Sequence, residues 1–173
     1  MDIALSEIIF RLGAAVLAGS AIGLNRNLRG KSAGLRTHAL VCLGSALITL
    51  AGIELSGADT GAVLRVVQGV ITGIGFLGAG VILRSQKAKR VLGLTTAATI
   101  WLAACFGIAC GAGEWTLVLV ALVLTLVVLV LGGPFERLID GVILRVTGQK
   151  VVRTDTQPAG TQPSTDTADV QSR

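Results

Sequence analysis

Five stretches of this chain are long and apolar enough to cross a lipid bilayer, and that removes most folds from consideration. They cover about 3–24, 37–55, 63–83, 94–112 and 115–131. A spanning helix needs roughly 20 such residues, with a range of about 17–25. Inside hydrocarbon every backbone N–H and C=O must find a partner within the protein, so only helices and closed barrels span. Regular polar–apolar alternation is absent, which argues against a barrel. Hydrophobic residues make up 52% of the chain even before its glycines are counted, more than a water-soluble domain carries. The expectation is an all-α membrane protein, a five-span helical bundle. The first ten residues, MDIALSEIIF, are acidic and lack the positive start of a signal peptide, so the first span is read as retained.

Charge sets the orientation. Arg26, Arg29, Lys31 and Arg36 lie between spans one and two, and Arg84, Lys87, Lys89 and Arg90 between spans three and four. Arg137, Arg145, Lys150, Arg153 and Arg173 follow span five, and Asp2, Glu7, Glu54, Asp59 and Glu114 fall on the opposite side. Basic loops stay in the cytoplasm, which gives an outer N-terminus and an inner C-terminus. The net charge of +5 is thus explained by topology, and no nucleic-acid partner is expected.

The third span holds the stretch GVITGIGFLGAGVIL, 69–83. At about 100° per residue Gly69, Gly73 and Gly80 share one face, while Gly75 and Gly78 lie roughly opposite. Glycine lets helix backbones approach closely in lipid. Glycine on two faces predicts neighbours on two sides, and places this helix at the centre of the bundle. A face left unused within one chain is available for a homodimer. Arg65, Gln68 and Thr72 form a polar stripe on the outer half of the same span, and either pack against other helices or line a polar cleft.

The other spans read differently. Ala15, Gly19 and Gly23 make a small-residue seam on span one, and Thr96, Thr99, Ala103 and Gly107 make one on span four. Arg11 lies inside span one, one turn after Glu7, and is expected to pair with it and reach the outer interface. Span five is bulky and aliphatic without glycine, so it belongs at the lipid edge, with Trp115 as an interfacial anchor. Gly132-Gly133-Pro134 should break that helix. Three regions follow: a transmembrane domain over 1–133, an amphipathic interfacial helix over 134–150, and a polar, disordered tail over 151–173. Cys42, Cys105 and Cys110 match neither a zinc pattern nor a redox pair and read as small packing residues.

A shift of 59 residues aligns the chain with itself. Gly19 meets Gly78, Gly34-Leu35 meets Gly93-Leu94, Thr37 meets Thr96, and Gly52 meets Gly111. Both loops and both spans stay in register, which predicts two parallel helix-hairpin repeats plus a peripheral fifth helix. The repeated Gly-Leu-x-Thr puts Thr37 and Thr96 at the N-cap or first turn of spans two and four, on the cytoplasmic side. Free N–H groups there, with Arg26, Arg29, Arg36, Arg84 and Thr95 at the same level, form a candidate site for an anion or an acidic partner. Topology with helix capping accounts for the same pattern without a ligand.

No Asp or Glu lies mid-span, His38 is the one histidine, and no hydrolase triad, P-loop or zinc motif is present. Neither an enzyme, a bound cofactor nor a metal site is expected.

Three segments, AIGLNRNLRGKSAGLRTHALVCLGSAL, VVQGVITGIGFLGAGVILR and GLTTAATIWLAACFGIACGAG, resemble the MgtC/SapB family of bacterial inner-membrane proteins. The match is carried by Arg26, Arg29, Gly34, Arg36 and Thr37, by Gly73, Gly75, Phe76, Gly78, Gly80 and Arg84, and by Gly93, Thr95, Thr96 and Trp101. The resemblance implies a five-span domain of the bacterial inner membrane. It also implies roles in low-magnesium, acid or stress adaptation and in virulence. By the same resemblance these would be exerted through membrane-protein partners, among them the F-type ATP synthase. A small transporter or channel, for Mg2+ or for an anion or lipid head group, is the alternative. Asn25 stands where the family usually has an acid, and the ACT-like C-terminal domain of many members is not seen in this sequence.

Overall fold

The computed structural model describes residues 3–57, 59–85 and 90–147, with the backbone only at 83–85, 90, 135–138 and 140–147. The elements are α1 (Leu5–Leu28), α2 (Leu35–Ser56), α3 (Thr60–Val81), β1 (Leu83–Ser85), β2 (Arg90–Leu92), α4 (Leu94–Ala112) and α5 (Trp115–Thr147). All five helices are long and apolar enough to cross a membrane. A helix of 22 residues, such as α2 or α3, rises about 33 Å, close to the thickness of the hydrocarbon layer.

Antiparallel pairing of α1 with α2 and parallel pairing of α2 with α4 form the core, which is built by glycine. A Cβ on Gly19 would lie 2.5 Å from the carbonyl oxygen of His38, and one on Gly23 would lie 2.6 Å from the Cα of Leu35. From the other side, Gly107 and Gly111 of α4 press on the α2 backbone, where a Cβ on Gly111 would stand 2.6 Å from the Ala46 carbonyl. Such contacts leave room for no side chain, and they bring the backbones close enough for dispersion to hold the helices without a hydrophobic drive. Ala15, Ala18, Ile22, Cys42, Ala46, Phe106 and Cys110 fill the space between. The small-residue seams of spans one and four therefore lie where the sequence places them. Cys42 and Cys110 are buried and Cys105 partly so, and all three are free.

The repeat is visible in the packing. Gly19 faces His38 in the first hairpin and Gly78 faces Ala97 in the second, each pair related by the 59-residue shift. The second hairpin is looser, with the Cβ of Ala97 3.8 Å from the position a Gly78 Cβ would take. Its connection is an antiparallel two-stranded ladder pairing Leu83 with Leu92 and Ser85 with Arg90, which the sequence did not announce. The ladder feeds α4 through Gly93, whose φ of 89° suits glycine alone.

Two expectations fail. The centre belongs to α4, which touches every other helix, and α3 lies at the edge. Half of the apolar stretch of α4 is buried, against 6% for α3. Gly69, Gly73, Gly75 and Gly80 have no protein atom near the place a Cβ would occupy, so within one chain they pack against nothing. The reason is competition between the faces of α3. Ile74 is buried with Val70 and Val81 packed beside it, and these branched side chains make more contact than a bare backbone does.

The second failure is at Pro134, which does not end span five: α5 runs through it to Thr147. The interfacial helix over 134–150 is thus continuous with the span as far as that residue. Proline cannot donate to the carbonyl four residues earlier, that of Val130. The Arg29 guanidinium donates to that oxygen instead, at 3.1 Å, so the helix loses no partner there. The tail over 151–173 lies outside the described residues. The spanning part of α5, Trp115–Pro134, is mostly exposed and peripheral, as its bulky composition requires. Trp115, at its outer start, meets Phe10 edge to face with ring centroids 4.8 Å apart.

Candidate functional site

The buried Arg26, His38, Thr96 and Thr99 gather toward the end of the bundle that the basic loops mark as cytoplasmic. Both α2 and α4 begin there, with Gly34 and Gly93 as N-caps and no side-chain cap on either. Thr37 and Thr96 are therefore third residues of their first turns, not caps. Thr37 is exposed and Thr96 buried, because only α4 has a neighbour on that face.

That neighbour is Arg26. Its side chain is 3% exposed, and one terminal nitrogen donates to the Thr96 hydroxyl at 2.6 Å. A guanidinium thus sits beside the first turn of α4, where the helix dipole is already positive. The two charges add, and the place is electropositive. The neighbouring Asn25 presents a buried side-chain oxygen with no hydrogen-bond partner. A buried acceptor left unpaired costs about 1–3 kcal/mol, so this oxygen is suited to a donor.

His38 extends the network and was missed as a site residue in the sequence. It is fully buried on α2. Its Nδ1 lies 2.9 Å from the Gly34 carbonyl oxygen, and its Nε2 lies 3.0 Å from the Thr99 hydroxyl. The Thr99 hydroxyl also lies 3.0 Å from the Thr96 carbonyl. A carbonyl only accepts, so Nδ1 carries a proton. A neutral ring then accepts at Nε2 from Thr99, whereas a hydroxyl turned to Thr96 requires a proton on both nitrogens. The chain of contacts joins α1, α2 and α4, and so the two repeats. Its signal in the sequence is weak, since His38 and Thr99 are 61 positions apart.

Arg29 and Arg36 stand apart from this network. Arg29 is exposed and lies against α5, bound to Val130 and beside Gly133. Arg36 and Thr95 are exposed, and the Arg84 side chain lies outside the described residues. Between α4 and α5 runs an apolar groove of about 270 Å³, with Thr99 and Thr125 on its buried floor.

At the outer end, Arg11 donates to Glu7 at 2.7 Å and to the Gly111 carbonyl at 2.8 Å. It pairs as expected, and in addition it serves an open carbonyl at the C-terminus of α4, where a cation is favoured. Arg65, Gln68 and Thr72 are exposed on the outer face of α3. Arg65 reaches Asp59 at 3.5 Å, and the Thr72 hydroxyl returns to the Gln68 carbonyl at 2.8 Å. The polar stripe is therefore a surface, not a cleft enclosed by this chain. Among the described residues no three His, Cys, Asp or Glu side chains converge as metal ligands would.

Known proteins are similar to this chain over most of its length. Protein SrpB of Synechococcus elongatus is 46% identical over 153 residues, which are 83% of this chain and 82% of that protein. The putative magnesium transporter YhiD of Escherichia coli K12 is 41% identical over 72% of this chain, and protein MgtC of Salmonella typhimurium is 39% identical over 82%. The chain spans 60% of YhiD and 59% of MgtC. No solved structure matches. The MgtC family matches from residue 12 to residue 138, which takes in most of the first span, all of the other four, the Gly-Leu-x-Thr turns and the glycine-rich third helix. By that coverage and those identities, the chain belongs to the MgtC family.

Proposed function

We propose that this protein is a regulatory component of the bacterial inner membrane that works without catalysis, by docking other membrane proteins through α3. The observation that carries the reading is the outward face of that helix. Gly69, Gly73 and Gly80 are bare there, Arg65, Gln68 and Thr72 share the face, and Phe76 is 82% exposed. Bare backbone and polar side chains gain nothing from acyl chains, whereas a second helix gains close approach along glycine and hydrogen bonds along the polar stripe. The partner is a membrane protein, with the F-type ATP synthase as the first to try, and a second copy of the chain as the homodimeric alternative. Arg29, Arg36, Thr37, Arg84 and Thr95 supply the basic inner surface for acidic groups of that partner, whereas Arg26 and Thr96 are buried and hold α1 to α4. Membership in the family supports a link to magnesium and stress adaptation and to virulence.

The test is co-purification in mild detergent after crosslinking in native membranes. Gly73→Leu meets no atom of its own chain, so the fold survives while the docking face is blocked. The partner should be recovered with the wild type and lost with this variant. Equal recovery from both removes the proposal.

Transport is the second reading, and similarity to a putative magnesium transporter of Escherichia coli favours it. Purified protein in liposomes, assayed for Mg2+ and phosphate flux, decides it. Flux no greater than that of empty liposomes ends it.

A further inference from the structure

The internal repeat shows what belongs on the open face of α3. Each outer helix of one hairpin also packs on the inner helix of the other, α1 on α4 and α3 on α2. The junction of α1 with α4 is covered by α5, which lies against both helices. Its wall on α1 includes Phe10, whose ring meets Trp115, and Ala14, packed against the cluster that contains Val118 of α5. Its wall on α4 includes Thr99 and Leu102. The 59-residue shift carries Phe10 and Ala14 to Gly69 and Gly73, and Thr99 and Leu102 to Leu40 and Leu43. At this second junction nothing stands within 4 Å of a Cβ on either glycine, and Leu40 is 66% exposed. Among the described residues no helix covers it.

We propose that the junction of α2 with α3 seats one spanning helix of a partner protein, which runs from outside to inside beside α3, is aliphatic, and carries a carboxylate at its outer end for Arg65. The proposal rests on docking by α3 and adds the kind of helix, its direction and its second wall on α2. The direction follows from α5, which starts at the outer end as α1 does and lies parallel to it. The aliphatic character follows from the same helix. Beyond Trp115 it is built of Leu and Val with little else, and Gly69 and Gly73 leave more room for such side chains than Phe10 and Ala14 do. The charge is particular to α3. One turn outward from Gly69 stands Arg65, exposed and held only by a 3.5 Å contact to Asp59, where α1 has Ser6. In α5 the aromatic that meets Phe10 is preceded by Glu114, so a helix of that kind at this junction brings an acid toward the level of Arg65.

The experiment uses a synthetic peptide with the sequence of residues 114–134 as the docking helix, reconstituted with the whole protein in vesicles. Binding is read by energy transfer from a label on Thr60→Cys, at the outer start of α3. The wild type should bind the peptide, with stronger transfer to a label at the peptide's N-terminus than to one at its C-terminus. Gly73→Leu on α3 and Leu40→Trp on α2 should each weaken binding roughly tenfold, as overfilling a packed contact does. Gly75→Leu, on the other side of α3 and equally free of neighbours, should bind as the wild type does. Arg65→Gln should weaken binding about fivefold, and Glu114→Gln in the peptide should have no further effect on that variant. Absence of binding by the wild type, stronger transfer to the C-terminal label, or undiminished binding by Gly73→Leu overturns the proposal. If the native partner is nonetheless lost with Gly73→Leu, docking by α3 stands and only the helix assigned here falls. Self-association of the protein that Gly73→Leu abolishes and the peptide does not compete gives the face to a second copy, and also overturns it.

Discussion

Glycines of one chain differ in consequence by what stands opposite them. Gly111 faces the Ala46 carbonyl, which belongs to a helix backbone and has nowhere to move, whereas Gly73 faces open space. Gly111→Val should cost about 1–3 kcal/mol, as overpacking does, while Gly73→Val leaves the isolated protein's melting point nearly unchanged. Thermal melting of the two purified variants in one detergent checks this. Equal losses would mean that α3 is buried in the protein as purified. The seams of spans one and four were legible because their small residues recur at helical spacing. The error at α3 came from the same signal. Spacing shows that a face permits close approach and does not show whether this chain uses it. His38 illustrates the opposite limit, since its ring nitrogens are satisfied by Gly34 on its own helix and Thr99 on α4. No local pattern links it to Thr99.

Helices in this protein are completed by side chains from elsewhere in the chain. Arg11 serves the C-terminal end of α4, Arg26 binds the first turn of α4, and Arg29 binds the α5 carbonyl that Pro134 leaves open. The continuation of α5 past Pro134 was illegible for that reason. Proline is a local signal, but its compensation arrives from α1, 101 positions away. A double-mutant cycle in lipid-free detergent tests the account. Arg29→Ala should cost about 1 kcal/mol in the wild type, the net worth of one hydrogen bond. In a Pro134→Ala background residue 134 regains its N–H, the Val130 carbonyl has a helical partner, and Arg29→Ala should cost almost nothing. A coupling of about 1 kcal/mol is the expected result. The same cost in both backgrounds would show that Arg29 stabilises something other than the helix.

At the scale of the whole molecule, fold class and hairpin arrangement were legible because span length and a register-keeping repeat are properties of the entire sequence. Assignment of the two ends to the two sides of the membrane rests on charge alone, and the network and the groove inherit it. Both lie on the side of the Arg29–Arg36 turn, so reversing the bundle would move them to the outer leaflet. Cysteine labelling tests this in a background the structure makes quiet. Cys42 and Cys110 are fully buried and Cys105 is half-buried within a span. Ser32→Cys, exposed in the turn after α1, should react with a membrane-impermeant maleimide only when cells are opened. Thr60→Cys, exposed at the start of α3, should react in intact cells. Labelling of Ser32→Cys in intact cells would invert the topology. Arg26 and His38 would then lie on the outer side of the membrane.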